Sequence, residues 1–423
     1  MTDDGLVGWV STPNVRGTLS IIYSCATVII TAIWTILHLN VPGKADSLMQ
    51  TLSRKVRWGI FAIFAPDLLT LVAASQWVSA RKSVEQMKKI SDLGSWTLAH
   101  AFYANSGGLI LQPKNELAFP VNAEHIYFLV SHGYIPLPKI TQNEIWDKSK
   151  ADWFAKGFAL LQIGWIIIQS IARAVDDLSV SPLELFTLAF VSSTTMSYFF
   201  WWNKPQDVQT PTILHCEFPM SKILTDSGIQ SNASYADSPL DFILDSDKVW
   251  ERRPSFKRYD LERQMEADSR NRARLQRIPN DAILTKRLPL NVLAALVIPS
   301  LIHSTVHLLG WNFAYPSSIE QLLWRISAVA LASVSAVSIG IIRMLDLFGY
   351  QGRYNLAWVW VNFQREEPRS GKCTKLLDLF LGFLVLFLVT ARLYIIIEAI
   401  ISLRNLPADV FVTVDWTDFL PHV

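Results

Sequence analysis

The sequence predicts an all-α fold, a polytopic bundle of transmembrane helices with one long polar loop. Of the 423 residues, 51% are hydrophobic and 17% are charged, whereas soluble domains carry about 25% charged residues. The apolar residues also lie in separate blocks, and a bilayer requires about 20 apolar residues for each helical crossing. This composition excludes most soluble enzyme folds. The net charge of +2 gives no general attraction to nucleic acid, so we expect no nucleic-acid partner.

Seven blocks have the length and the low charge of a membrane span. They cover residues 18–39, 58–78, 154–171, 183–202, 290–309, 322–345 and 376–403. Four spans form a first transmembrane half, 1–202, which is followed by a long polar loop, 203–286. Three spans and a short tail form the second half, 287–423. The stretch 95–111 is also apolar: as an additional short crossing it would raise the count to eight, and as a re-entrant or interfacial segment it would leave the preferred count at seven.

Basic residues near the span ends predict the orientation, because cytosolic flanks are rich in Lys and Arg. Bases before the fifth span and after the sixth place the long loop in the cytosol. Within that loop, residues 248–277 suit either a solvated linker or an arm on anionic lipid. The second span disagrees with the rule, since bases flank it on both sides: Lys44, Arg54, Lys55 and Arg57, then Arg81, Lys82, Lys88 and Lys89. A crossing there would put one cluster on the wrong side.

Two acids lie within the predicted spans, where ionisable side chains are costly and often functional. Asp67 follows Pro66 in the second span, and a proline can kink the helix and open a pocket. Glu398 lies in the last span, six residues after Arg392, so these two side chains cannot pair along one helix face. We predict that Asp67 and Glu398 are catalytic proton donors. The alternative for Asp67 is a structural hydrogen bond to a neighbouring helix.

Several other polar side chains are predicted to line a pocket. His303 and His307 are four residues apart and share one helix face, but the HExxH glutamate and the further ligands of a metal site are missing. We therefore expect packing or proton relay, with no metal and no cofactor. A second group, His100, Tyr103 and Asn105, lies on a short segment that precedes Gly107 and Gly108. The full set of pocket candidates is His100, Tyr103, Asn105, His303, His307 and Arg392.

Short runs along the chain carry a resemblance to other proteins. They include Gly8-Trp9-Val10, His38-Leu39-Asn40-Val41-Pro42, Ala65-Pro66-Asp67, Trp201-Trp202-Asn203-Lys204-Pro205 and Arg404-Asn405-Leu406-Pro407. With these runs the sequence resembles a large family of fungal polytopic integral membrane proteins over nearly its whole length. The acid after Ala-Pro is usually Glu in that family and is Asp67 here, which keeps the charge and shortens its reach.

Two functional hypotheses follow. By analogy, fungal secondary-metabolite clusters contain small membrane cyclases that protonate a prenyl chain with an intramembrane carboxyl. The first hypothesis is therefore a membrane-embedded terpene or meroterpenoid cyclase with a prenyl-type substrate. The second is a non-enzymatic transporter, receptor or scaffold. Either protein would have the lipid bilayer as its partner and would reside in the endoplasmic reticulum or another secretory-pathway membrane.

Overall fold

A computed structural model shows a mostly helical chain. It describes residues 6–11, 16–90, 95–150, 153–229, 238–243, 276–280, 290–347 and 372–414. The long helices are α1 (Thr18–Ile36), α2 (Leu48–Phe64), α3 (Pro66–Met87), α7 (Trp153–Val175), α8 (Pro182–Phe200), α10 (Leu290–Leu308), α11 (Ser318–Leu347) and α12 (Lys372–Ile401). The short helices are α4 (Leu98–Asn105), α5 (Ala123–Ser131), α6 (Gln142–Lys148) and α9 (Met220–Asp226).

Three helical stretches are long and apolar enough to cross a membrane: Thr18–Ile36, Gly157–Val175 and Gly382–Arg404. The count is four if the bent pair α2–α3 forms one span, so the described residues do not support the predicted seven. The predicted fourth span, α8, contains the hydroxyl-rich run 192–195 and is largely buried against α1, α3 and α10. The hydroxyl side chains lower the hydropathy of α8, and Ser193, Thr194 and Ser197 among them are buried against neighbouring helices.

The predicted second span is two helices and not one straight crossing. Helix α2 ends at Phe64, α3 begins at Pro66, and the two axes differ by 114°. Proline lacks an amide hydrogen, and its ring clashes with the preceding turn, so a helix can begin at Pro66 but cannot continue through it. The apolar block 58–78 therefore has the composition of a span without its geometry.

The chain also contains strands, which the all-α prediction missed. They are β1 (Leu6–Val7), β2 (Leu109–Gln112), β3 (Phe119–Val121), β4 (Thr212–His215) and β5 (Leu406–Pro407). Strand β2 lies between β3, which is antiparallel to it, and β4, which is parallel. This small sheet and helices α4, α5, α6 and α9 form a compact unit, here called the sheet unit, whose core continues onto α3. A second core lies within the helical bundle.

The stretch 95–111 is part of the sheet unit and is not an eighth crossing. Its helix, α4, has eight residues and spans only about 12 Å at 1.5 Å per residue, well short of a hydrocarbon core of about 30 Å. The backbone then turns at Gly107, where φ is +82°, and enters β2. Glycine tolerates this left-handed conformation, so the chain leaves the helix for the sheet.

One end of the bundle joins the amino-terminal segment to the segment after α12. Strand β1 pairs antiparallel with β5, and Arg16 forms an ion pair with Glu184 at the start of α8. The buried Arg173 side chain donates to the backbone carbonyls of Ser179, Asp409, Val410 and Val412. Both segments therefore lie on the same side of the bundle. An even number of crossings between them satisfies this pairing, whereas seven crossings would separate them.

The predicted long loop, 203–286, is folded in part. Strand β4 and helix α9 belong to the sheet unit, and Met220 and Ile223 are buried in its core. Segment 276–280 packs against the α1–α2 connection, where the Asn40 side chain donates to the Ile278 and Pro279 carbonyls. Most of the basic stretch 248–277 lies outside the described residues.

Candidate functional site

Helices α3, α8, α10 and α12 bring an arginine, an aspartate and two histidines together inside the bundle. Arg392 of α12 is 6% exposed, and its Nη2 lies 3.1 Å from Oδ1 of Asp67. Its Nε donates to the Phe64 carbonyl at 3.2 Å. That carbonyl belongs to the last turn of α2, where carbonyls lack intrahelical partners. Arg392 therefore joins the end of α2 to the acid in the first turn of α3.

The two predicted histidines are fully buried, and their ring centroids are 4.9 Å apart. Nδ1 of His303 lies 2.7 Å from the Ala189 carbonyl oxygen, and Nδ1 of His307 lies 3.0 Å from the His303 carbonyl oxygen. A carbonyl only accepts, so each Nδ1 carries a proton. Neither Nε2 has a hydrogen-bond partner among the described residues. The site thus holds two buried imidazole rings, each bound through Nδ1 alone.

Aromatic rings connect the histidines to the surroundings of Glu398. The Trp324 ring lies 6.2 Å from His307 and 5.4 Å from Tyr315, and its Nε1 donates to the His307 carbonyl at 3.1 Å. Burial first, and the nearby Glu398 carboxyl second, raise the pKa of Tyr315. A Cβ at Gly310 would lie 2.9 Å from Trp324 Nε1, so the glycine allows the indole to pack here.

Glu398 differs from Asp67 in its partners. Its Oε2 accepts a hydrogen bond from the Tyr394 hydroxyl at 3.2 Å, and that hydroxyl also lies 2.9 Å from the Glu320 carbonyl oxygen. Its Oε1 has no hydrogen-bond partner in the described part of the chain, although Glu398 is only 3% exposed. The neighbouring Glu320 pairs with Arg404. Glu398 is thus a buried carboxyl for which the described residues provide no ion pair.

The other predicted pocket residues lie in the sheet unit, away from this cluster. His100 bonds to Thr97 and, through Nε2, to the Ile140 carbonyl oxygen at 2.8 Å, and burial lowers its pKa. The Tyr103 hydroxyl lies 3.0 Å from Thr212 Oγ1. Asn105 accepts from the backbone amide of Ala123 at 3.0 Å. These bonds join α4 to β4, α5 and the 140 segment, so the structure does not bring these residues to Asp67.

A buried lysine between α8 and β4 was missed. Lys204 is 1% exposed, and its Nζ donates to Asn40 Oδ1 at 3.1 Å and to Gln76 Oε1 at 2.8 Å. It also lies 5.1 Å from the centre of the Trp201 ring. Burial lowers the pKa of Lys204 to about 7. Asn40 and Lys204 both lie in runs that carry the family resemblance, and this was the available signal.

No group of three or more His, Cys, Asp and Glu side chains is placed to hold a metal ion within the described ranges. The two histidines alone supply too few ligands for a protein zinc site. The cluster therefore combines a carboxyl–guanidinium pair, two imidazoles and an indole inside the bundle.

The fold and the site define a mostly helical protein with candidate membrane spans and a buried polar cluster between its helices. The sequence matches a family of unknown function (DUF8562) over residues 1–238 and 290–423, and the chain belongs to this family. No curated protein and no solved structure matches it.

Proposed function

We propose that the protein is a membrane-embedded terpene or meroterpenoid cyclase that acts on a prenyl-type substrate. The observation that carries this proposal is the combination of one buried acid without an ion-pair partner and two imidazole nitrogens without hydrogen-bond partners among the described residues. Aromatic side chains lie between them. A prenyl chain partitions into the bilayer and can reach such a cluster from the lipid. The compartment is the endoplasmic reticulum or another secretory-pathway membrane.

The chemistry begins with Glu398 in its protonated form. The carboxyl donates its proton to a terminal alkene or epoxide, which leaves a carbocation on the substrate and a carboxylate on the protein. An internal alkene attacks the cation, and a carbon–carbon bond closes the ring. Trp324 and Tyr315 stabilise the cation through their ring faces. A proton then leaves the carbon beside the final cation for His303 or His307, and an alkene forms. Return of that proton to the Glu398 carboxylate, directly or through solvent, restores both groups for the next turnover.

Asp67 takes a structural role in this proposal. Its Oδ1 is bound by Arg392 Nη2 at 3.1 Å, and the same arginine binds the Phe64 carbonyl through Nε. The pair with Arg392 therefore suits Asp67 to hold α12 against the α2–α3 junction. This assignment chooses the structural alternative for Asp67 and leaves Glu398 as the proton donor.

The proposed membrane topology has six crossings: the three candidate spans, in α1, α7 and α12, and three further helices, α8, α10 and α11, which pack with them in the bundle. This number keeps the ends that carry β1 and β5 on one side, in agreement with their pairing. The sheet unit and the long loop then share the opposite side, because β4 follows α8 and pairs with β2. The basic residues near the loop make that side the cytosol.

The test is metabolite profiling of a fungal host that expresses the chain and receives prenylated and epoxidised precursors. We expect a new cyclised product from the wild type and a loss of about 100-fold or more in Glu398→Gln, because general acids contribute about that factor. Glu320→Gln is the matched control, since Glu320 is a neighbouring acid that pairs with Arg404. Equal product from wild type and Glu398→Gln would contradict the acid assignment, and no product from any sample would favour a transporter, receptor or scaffold.

A further inference from the structure

Helix α2 carries its larger apolar side chains outward and its buried cations, Arg54 and Lys55, inward, while Gln50 and Arg57 are exposed. The outward apolar residues recur about every fourth position along the helix and are 43–84% exposed. They are Leu48, Met49, Leu52, Val56, Ile60 and Phe64. A helix on the surface of a soluble protein has the reverse arrangement, with its apolar stripe toward the core. The outward face of α2 therefore fits an apolar surrounding medium.

The inward face of α2 is held by ion pairs. The buried Arg54 lies 2.8 Å from Asp46, and the buried Lys55 lies 2.8 Å from Asp207. Lys55 also lies 4.1 Å from the centre of the Trp34 ring, at the end of α1. These bonds fix the rotation of α2 about its axis, so the apolar face cannot turn inward. They also place the middle of α2 beside the last turn of a candidate membrane span.

Helix α2 then advances along the bundle. At Gly59, one turn after Lys55 on α2, an added Cβ would lie 3.0 Å from Ile33 of α1, the residue before Trp34. At the end of α2, the Phe64 carbonyl bonds to Arg392, which lies near the middle of the candidate span Gly382–Arg404. The junction of α2 and α3 therefore lies at the depth of the span's centre.

Helix α3 returns to the end from which α2 came. Thr70 of α3 bonds to Ser193 and Ser197 of α8, and further along, Gln76 accepts from the Trp201 indole. Helices α3 and α8 thus run in the same direction, and α3 continues into the sheet unit. The residues before α2 and those after α3 lie on one side of the bundle.

We propose that α2 and α3 form a re-entrant hairpin whose outward α2 face contacts lipid acyl chains. The hairpin enters the bilayer from the side of the sheet unit, turns at Pro66 near mid-depth and leaves on the same side. The apolar face of α2 continues the exposed apolar surface of α1, where Ile30 and Trp34 are 64% and 53% exposed. Lys44 and the bases after α3 then lie on the cytosolic side, and Arg54, Lys55 and Arg57 lie on the part of α2 nearer that side. The two basic clusters are no longer on opposite sides, which removes the conflict with the positive-inside rule. The proposal rests on insertion of α1 and α12 in a bilayer and not on catalysis.

The first test is the sidedness of single cysteines in sealed membrane vesicles. The background carries Cys25→Ala, Cys216→Ala and Cys373→Ala, and the probes are Lys44→Cys and Lys88→Cys, two exposed positions on either side of the hairpin. An impermeant maleimide should label both probes from the same side. Ser317→Cys, exposed in the α10–α11 turn, should react from the opposite side and marks that face. Labelling of the two probes from opposite sides would overturn the hairpin.

The second test measures lipid contact on the same cysteine-free background. A fluorophore attached at Val56→Cys or Ile60→Cys should be quenched by brominated acyl chains in nanodiscs, and one at Lys88→Cys should not. Quenching should require deeper bromine positions at Ile60 than at Met49→Cys, since α2 rises toward the Arg392 level. Absence of lipid quenching at both Val56 and Ile60 would overturn the lipid assignment, because water or a second copy of the chain would then cover this face.

Discussion

Arg392 and Lys204 are two buried cations that the protein accommodates in different ways. Arg392 lies 3.1 Å from a carboxylate, Asp67. Lys204 has two amide oxygens and an indole face as its described partners. Guanidinium stays charged at all accessible pH values, whereas a buried ammonium can release its proton. The arginine thus requires a counter-ion, and amide oxygens suffice for the lysine. Burial among these neutral partners lowers the pKa of Lys204 to about 7.

The largest expected effect comes from removal of the counter-ion. Asp67→Asn leaves the Arg392 charge buried without its partner, and such a change costs about 3–5 kcal/mol. Asp67 is 31% exposed at its side chain, so we expect the lower end, about 3 kcal/mol. Unfolding in detergent would measure it. The double variant Asp67→Asn with Arg392→Met should recover most of the loss, and an additive double variant would argue against the pair.

The lysine should give a smaller, pH-dependent effect. The native pKa of Lys204 is about 7, and an unfolded lysine has a pKa near 10.4. Between these values the unfolded chain holds the extra proton, so stability rises with pH by about 1.4 kcal/mol per unit and the increase ends above the unfolded pKa. Below pH 7 both states are protonated and the slope vanishes. The measurement is the free energy of unfolding at pH 7 and at pH 9. Its gain between these pH values should be about 2 kcal/mol larger in the wild type than in Lys204→Met. Equal gains in the two proteins would argue against a neutral lysine.

The smallest effect is expected at Arg404, which also has a carboxylate partner but lies at the surface. Its side chain is 46% exposed, and it pairs with Glu320. Exposed ion pairs contribute about 0–1 kcal/mol because water screens them and the side chains lose entropy. Arg404→Met should therefore change the free energy of unfolding by less than about 1 kcal/mol. A loss of stability as large as that of Asp67→Asn would show that burial does not determine how much each of these ion pairs contributes to the free energy of unfolding.

Hydropathy predicted the helical class and the three stretches that are long and apolar enough to cross a membrane. It could do so because the length and the hydropathy of a span are local properties of the sequence. It failed at 58–78, where Pro66 ends one helix and begins another, since composition does not contain the 114° bend. At 95–111 hydropathy left a crossing and other arrangements open, because a short helix and a buried strand together are as apolar as a crossing.

The site was predictable only in part, and for a physical reason. An ionic side chain within an apolar block signals a partner elsewhere, which identified Asp67, Arg392, His303, His307 and Glu398. The partner itself depends on packing: Asp67 and Arg392 are 325 positions apart. Lys204 lies in a polar stretch, where a lysine is ordinarily exposed, so only its tertiary contacts reveal its burial.

The most direct test of the account measures stability and product formation on the same purified preparations in nanodiscs. The two variants are Asp67→Asn and Glu398→Gln, and product is normalised to folded protein. The account predicts opposite results: Asp67→Asn loses stability and keeps its turnover, whereas Glu398→Gln keeps its stability and loses turnover by about 100-fold or more. Loss of turnover in stable Asp67→Asn, with Glu398→Gln fully active, would contradict the account and would make Asp67 the acid.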